Sequence, residues 1–130
     1  MRLIQFPKIS DERGNLTFLQ HSESIPFEIE RVFWTYDVPG GETRGGHAYK
    51  LQEEVIVALS GSFDVVIRNA DGSEKSVSLN RSYEGLYLPA LTWIHIENFS
   101  KNALSLHISS SPFDKKDYLR DFEIYSKMTK

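Results

Sequence analysis

The stretch VIVALSGSFDVVIRNADGSEK, residues 55–75, decides how the chain is read. In SFDVVIR, Phe63, Val65 and Ile67 fall on one side while Asp64 and Arg68 fall on the other, the two-residue alternation of a half-buried strand. VIVALS ahead of it is apolar on both sides and is bounded by Gly61, which predicts a strand covered on both faces. NADGSEK behind it supplies the pair Asp71-Gly72, which tolerates the positive φ of a tight reversal and predicts a hairpin.

The same pattern extends in both directions. ALSLHIS alternates Leu104, Leu106 and Ile108 with Ser105, His107 and Ser109. NLTFLQ, IERVFWTY, GLYLP and TWIHIEN are further strand candidates, separated by Gly, Pro, Asn and Asp. Short strands at this spacing fit an all-β sandwich or barrel better than alternating strands and helices. After Ser111-Pro112, FDKKDYLRDFEIYSK places Tyr118, Phe122 and Tyr125 at i, i+4 and i+7. That stripe predicts a short C-terminal helix covering an open edge or end of the barrel. No internal repeat, linker or low-complexity segment interrupts the pattern.

Composition bounds the function. A chain of 130 residues with 40% hydrophobic and 25% charged residues is expected to close one core, a single domain over residues 1–130. A formal net charge of −3 argues against a broad nucleic-acid surface, which needs clustered excess Lys and Arg. With no cysteine there is no disulfide framework and no thiolate nucleophile or ligand. MRLIQFPKIS lacks the apolar core of a signal peptide, and VIVAL is far too short to cross a bilayer. A cytoplasmic protein without membrane association is the expectation.

Gly41, His47, Glu54 and Gly61 fall at the spacings of the first cupin motif, with Tyr49 where its second histidine belongs. The chain thus resembles the small jelly-roll barrels of the cupin class, which implies a cupin-like jelly-roll fold in which histidines and a glutamate usually hold a metal. A phenol is a poor ligand, because its oxygen must lose a proton of ordinary pKa about 10. His47, Glu53 or Glu54, and His95 remain as a candidate facial set. The reading preferred over it is a pocket without metal.

A closer resemblance is carried by DERGNLTFLQ, RVFWTYDVPGGETRGGHAYK, EEVIVALSGSFDV and DYLRDF. These resemble the nucleotide-linked sugar 3,4-ketoisomerases of the cupin superfamily from about Ile4 to Phe122, nearly the whole chain. The resemblance implies a metal-independent enzyme acting on dTDP-4-keto-6-deoxyglucose, moving the carbonyl from C4 to C3 through an enediol, for deoxyamino-sugar biosynthesis of a surface polysaccharide. It also implies homodimers that exchange N-terminal strands, with IQFP and NLTFLQ as the candidates.

Such a reaction needs a base for the C3 proton, an acid for C4 and donors near the enolate oxygens, and no redox cofactor. His47 is the best base by residue type, since its ordinary pKa of about 6.5 leaves it mostly neutral at pH 7. Two residues on, Tyr49 faces the same way on a strand and can shuttle the proton or hydrogen-bond an enediol oxygen. Family members carry histidine there, so the division of labour between the two stays open. Arg44 offers a planar fork to a diphosphate. Gly45 and Gly46 let the backbone approach the same ligand or simply form a flexible loop.

Arg31 and Lys50 are secondary phosphate candidates. Tyr36 either contacts the sugar or packs, and His95 either joins the site or caps its rim. Where family members often carry a basic residue directly after Trp93, this chain has Ile94. His107 reads as a hydrogen-bonded interior histidine and His21 as exposed. Trp34, Trp93 and Tyr83 are stacking candidates for the nucleotide base, or core. Two other functions fit the same residues: epimerisation of the same sugar class, and a non-catalytic sugar- or effector-binding cupin.

Overall fold

The structure, a computed structural model, describes residues 1–20 and 23–130. In chain order the elements are β1 (Arg2–Gln5), β2 (Lys8–Asp11), β3 (Gly14–Thr17), β4 (Arg31–Thr35), β5 (Arg44–Tyr49) and β6 (Glu54–Ser60). There follow β7 (Phe63–Arg68), β8 (Glu74–Leu79), β9 (Glu84–Leu88), β10 (Trp93–Glu97), β11 (Leu104–Ser109), a 3₁₀ turn (Lys115–Asp117), β12 (Tyr118–Leu119) and α1 (Phe122–Thr129). The strands form two five-stranded sheets, in the orders β1-β9-β6-β11-β4 and β12-β5-β10-β7-β8, with β2-β3 as a separate two-stranded sheet. Every pairing is antiparallel. The result is the all-β barrel that the alternation predicts, in the cupin-like jelly-roll form that the resemblance implies.

The hairpin between β7 and β8 turns where Asp71-Gly72 places it. Gly72 has φ of 89°, and its N–H donates to the Asn69 carbonyl. The Asp71 carboxylate accepts from the backbone N–H and the hydroxyl of Ser73. β6 is covered on both faces, as its continuous apolar run implies. Ile56 and Ala58 join Phe63, Val65, Ile67, Leu79, Leu86 and Leu88 between the sheets, while Val55 and Val57 join Phe6, Ile25 and Phe27 on the outside. Each large side chain fully buried in this way contributes about 1.5–3 kcal/mol.

The C-terminal segment departs from its helical periodicity. Only residues 122–129 form the helix, whereas Tyr118 and Leu119 add a strand beside Tyr49 and Ala48 of β5. Two aspartates account for the difference. The buried Asp117 carboxylate accepts the N–H groups of Leu51 and Gln52, tertiary bonds that hold the chain extended. Asp121 accepts from the N–H groups of Glu123 and Ile124, the N-cap geometry that starts a helix after it. α1 then packs Phe122 and Tyr125 against Trp93, Ala48 and Leu119 on the outer face of the second sheet. Among the described residues no helix is long and apolar enough to cross a membrane.

Candidate active site

The site is organised by an irregularity in β5. Opposite residues of an antiparallel ladder share a side of the sheet. His47 lies opposite Ile94 and Arg44 opposite Ile96, but Gly45 lies opposite His95, with the register shifting between Ile94 and His95. One extra residue is therefore accommodated at Gly46, a β-bulge. Gly45 and Gly46 have φ of 90° and 82°, and a Cβ on Gly45 would come within 3.2 Å of the His95 Cα and the Ile94 carbonyl oxygen. Without the bulge Arg44 and His47, three residues apart, would face opposite sides. With it both turn inward, alongside Ile94 and Ile96. The glycine pair thus has a defined conformation and an aiming role.

His47 sits among aromatic rings. Its centroid lies 4.9 Å from that of Tyr49 and 5.0 Å from that of Tyr118, which are 4.8 Å apart. The two phenol oxygens are 3.5 Å apart. The buried Nδ1 of His47 has no hydrogen-bond partner among the described residues. Burial pushes the His47 pKa below its usual value, with Arg120 and His107 acting in the same sense and Glu54 opposing them. Burial, then the Glu54 charge and Tyr118, push the Tyr49 pKa upward. At neutral pH the imidazole is therefore an unprotonated base beside a protonated phenol, an acceptor and a donor on one wall.

Both face a chamber of about 80 Å³ between the sheets, whose walls include Phe33, Arg44, Glu54 and His107. Thr35 and Arg44 also border a second cleft, of about 470 Å³, with Trp34 and Tyr36. On the chamber wall, His107 Nδ1 is 2.5 Å from Glu54 Oε1 and its Nε2 is 3.0 Å from Ser105 Oγ. Phe33 stacks on the same imidazole at 4.5 Å. The larger cavity of about 630 Å³ lies elsewhere, beneath β2-β3, and contains none of these groups.

Arg31 is close by, its Nη2 donating to Gln52 Oε1 at 3.0 Å while its guanidinium lies over Phe33 and Phe113. Tyr36 is exposed on the cleft beside Arg44. Two other residues are not brought to the chamber. Lys50 is exposed past the end of β5, its N–H donating to the Asp117 carbonyl. His95 is on the outer side of β10 with its Nε2 at 2.6 Å from Glu97 Oε1.

The facial set of His47, Glu53 or Glu54, and His95 does not converge, because His95 and His47 lie on opposite sides of the sheet. Among the described residues no group of three His, Cys, Asp or Glu side chains is arranged to hold a metal ion. Trp93 is core beneath α1, Trp34 is exposed, and Tyr83 lies under Lys8. His21 is outside the described residues. The residues that sequence reading missed are Tyr118, hidden in a helical spacing, and Arg120, whose guanidinium lies 4.5 Å over the Tyr118 ring.

Comparison with known proteins follows the same lines. Residues 1–130 match the family model described as "FdtA: WxcM-like, C-terminal". The chain belongs to this family. It is 33% identical over 126 residues to a TDP-4-oxo-6-deoxy-alpha-D-glucose-3,4-oxoisomerase from Aneurinibacillus thermoaerophilus, an alignment covering 97% of this chain and 90% of the relative. The crystal structure of QdtA, a sugar 3,4-ketoisomerase from Thermoanaerobacterium thermosaccharolyticum in complex with TDP, superposes with a TM-score of 0.95. The identity is 33%, and 98% of this chain and 93% of the other are covered. WlaRA, a TDP-fucose-3,4-ketoisomerase from Campylobacter jejuni, gives a TM-score of 0.93 at 29% identity, with coverages of 99% and 95%. The resemblance read from RGGHAYK and its flanks is thus to the family in which the chain falls.

Proposed function

We propose that this chain is a sugar-nucleotide 3,4-ketoisomerase that converts dTDP-4-keto-6-deoxyglucose into its 3-keto isomer. The observation that carries this reading is the pairing of His47 and Tyr49 on one wall, the imidazole pushed down and the phenol pushed up chiefly by burial, with Arg44 turned toward the same space by the bulge. His47 takes the C3 proton and becomes an imidazolium, and the electrons left behind form an enediolate across C3 and C4. Tyr49, backed by Tyr118, donates to the enediolate oxygen. The O3 hydroxyl then gives up its proton as O4 gains one by way of the Tyr49 phenol, and the proton held by His47 returns to C4, leaving a carbonyl at C3 and a hydroxyl at C4. C3 is oxidised as C4 is reduced within one molecule, so no external electron acceptor is required.

Arg44, at the border between chamber and cleft, is assigned to the diphosphate, with Arg31 as a second cation and the Gly46 backbone beside them. Tyr36 flanks the sugar nucleotide in the cleft. Lys50 and His95 have no part in this scheme, since both lie off the chamber. The solved complex of QdtA with TDP supports a nucleotide ligand of this class.

The reading includes a homodimer. β2 and β3 leave Ile9 and Leu16 more than half exposed and Phe18 exposed beside them, and β4 leaves Trp34 exposed on its outer face. Exchange of the N-terminal strands would cover such surfaces. The absence of cysteine fits the reducing cytoplasm as the working compartment.

Incubation with dTDP-4-keto-6-deoxyglucose followed by NMR tests the function. Migration of the carbonyl from C4 to C3 is expected. A product that keeps its C4 carbonyl with inverted ring carbons would identify an epimerase. Binding without any change would identify a non-catalytic cupin.

A further inference from the structure

The proton transfer described above leaves the row Glu54, His107 and Ser105 unused. All three are buried, with exposures of 4%, 6% and 0%. A carboxylate taken out of water costs several kcal/mol unless it is well partnered, and the next two inward positions on β6, Ile56 and Ala58, are apolar. The row is also rigid. Both ring nitrogens of His107 are engaged and Phe33 fixes its plane, so the Glu54 carboxylate at the other end has a set position on the chamber wall.

His47 lacks the hydrogen bond that usually orients and supports a histidine base. Its Nδ1 has no partner among the described residues, and its contacts are the edges and faces of Tyr49 and Tyr118. The groups facing it are Arg44 and Tyr49 on its own strand, Glu54 from β6, His107 from β11, Tyr118 from β12 and Arg120 beyond it. β10 contributes Ile94 and Ile96, and β4 contributes Phe33 and Thr35, none of them charged. Burial, Arg120 and His107 all oppose a positive charge on this imidazole, and Glu54 favours it.

We propose that Glu54, clamped by His107 and Ser105, is a positioning residue for the isomerisation: it holds a fixed negative charge on the chamber wall that stabilises the His47 imidazolium as the C3 proton arrives. This rests on the isomerase reading. The carboxylate is assigned no proton transfer of its own, and its charge acts across a small chamber between the two sheets. It is the anion among the groups just named, so removing its charge leaves the imidazolium facing only neutral and cationic neighbours.

The test is the titration of the His47 Cε1–H by NMR, with kcat and KM measured across pH on the same samples. Glu54 raises the pKa of His47, so Glu54→Gln should move that titration to lower pH. The acid limb of the rate profile should move the same way. A roughly tenfold or greater fall in kcat with KM within about twofold is expected, the signature of support given mainly in the transition state. Glu54→Asp keeps the charge but withdraws it by one methylene, and should fall between wild type and Glu54→Gln in both readouts. If Glu54→Gln does not fold, Glu54→Asp carries the comparison alone. An unmoved His47 titration overturns the proposal, whatever the change in stability. A wild-type protein that binds TDP but does not move the carbonyl would instead refute the isomerase reading, while the titration still decides the role of Glu54.

Discussion

The two ends of the barrel interior are built from the same strands and do opposite things. On β6, Glu54 faces the chamber while Ile56 and Ala58, further along the same side, face an apolar cluster with Phe63 and Leu86. On β10, Ile94 and Ile96 bridge both ends. The apolar end is held by burial, which is non-directional and needs only volume. The polar end has His107 bonded at both ring nitrogens, and a phenol raised and an imidazole lowered chiefly by burial and tuned by the Glu54 charge. Stability is therefore concentrated at one end, and the other is free to carry a directional arrangement whose value is chemical.

Three substitutions probe that division. The largest effect is expected from Phe63→Ala, which empties a side chain only 1% exposed at the apolar end and should cost about 3–5 kcal/mol in unfolding free energy. Denaturant titration measures it, and kcat below the shifted Tm should stay near the wild-type value. A loss of turnover matching the loss of stability would mean that the two ends are not separable. Next, Arg44→Ala removes a charge-assisted contact worth about 1.5–3 kcal/mol, roughly ten- to a hundredfold in affinity. TDP and TDP-sugar binding, followed by calorimetry, should weaken alike while stability stays unchanged. The smallest expected effect is that of Gly45→Ala. A side chain at this positive φ costs about 1–2 kcal/mol, and because the bulge aims Arg44, TDP affinity should fall along with stability.

What could be read without the fold follows the same division. The strands around Phe63 and the Asp71-Gly72 turn were legible because two-residue alternation and turn chemistry are local. His47 and Tyr49 stand out by residue type, because acid-base chemistry selects such groups, and the structure sets their rings side by side. The inward turn of Arg44 was not legible, since it depends on which residue of β10 sits opposite. The spacing of Tyr118 from Phe122 and Tyr125 fits a helix, while the decisive bonds of Asp117 go to Leu51 and Gln52, more than sixty residues away. For His95 the information was present. Ile94 and Ile96 alternate with it, and the side that enters an apolar interior is theirs.

The proposed reaction turns on His47 as the base. Its most direct test compares wild type with His47→Asn, measuring TDP affinity by calorimetry and carbonyl migration by NMR on the same preparations. Retained affinity and melting temperature are expected, with turnover reduced by about 10²–10⁴-fold. Turnover within a few-fold of wild type at unchanged affinity would contradict it and move the base elsewhere in the chamber.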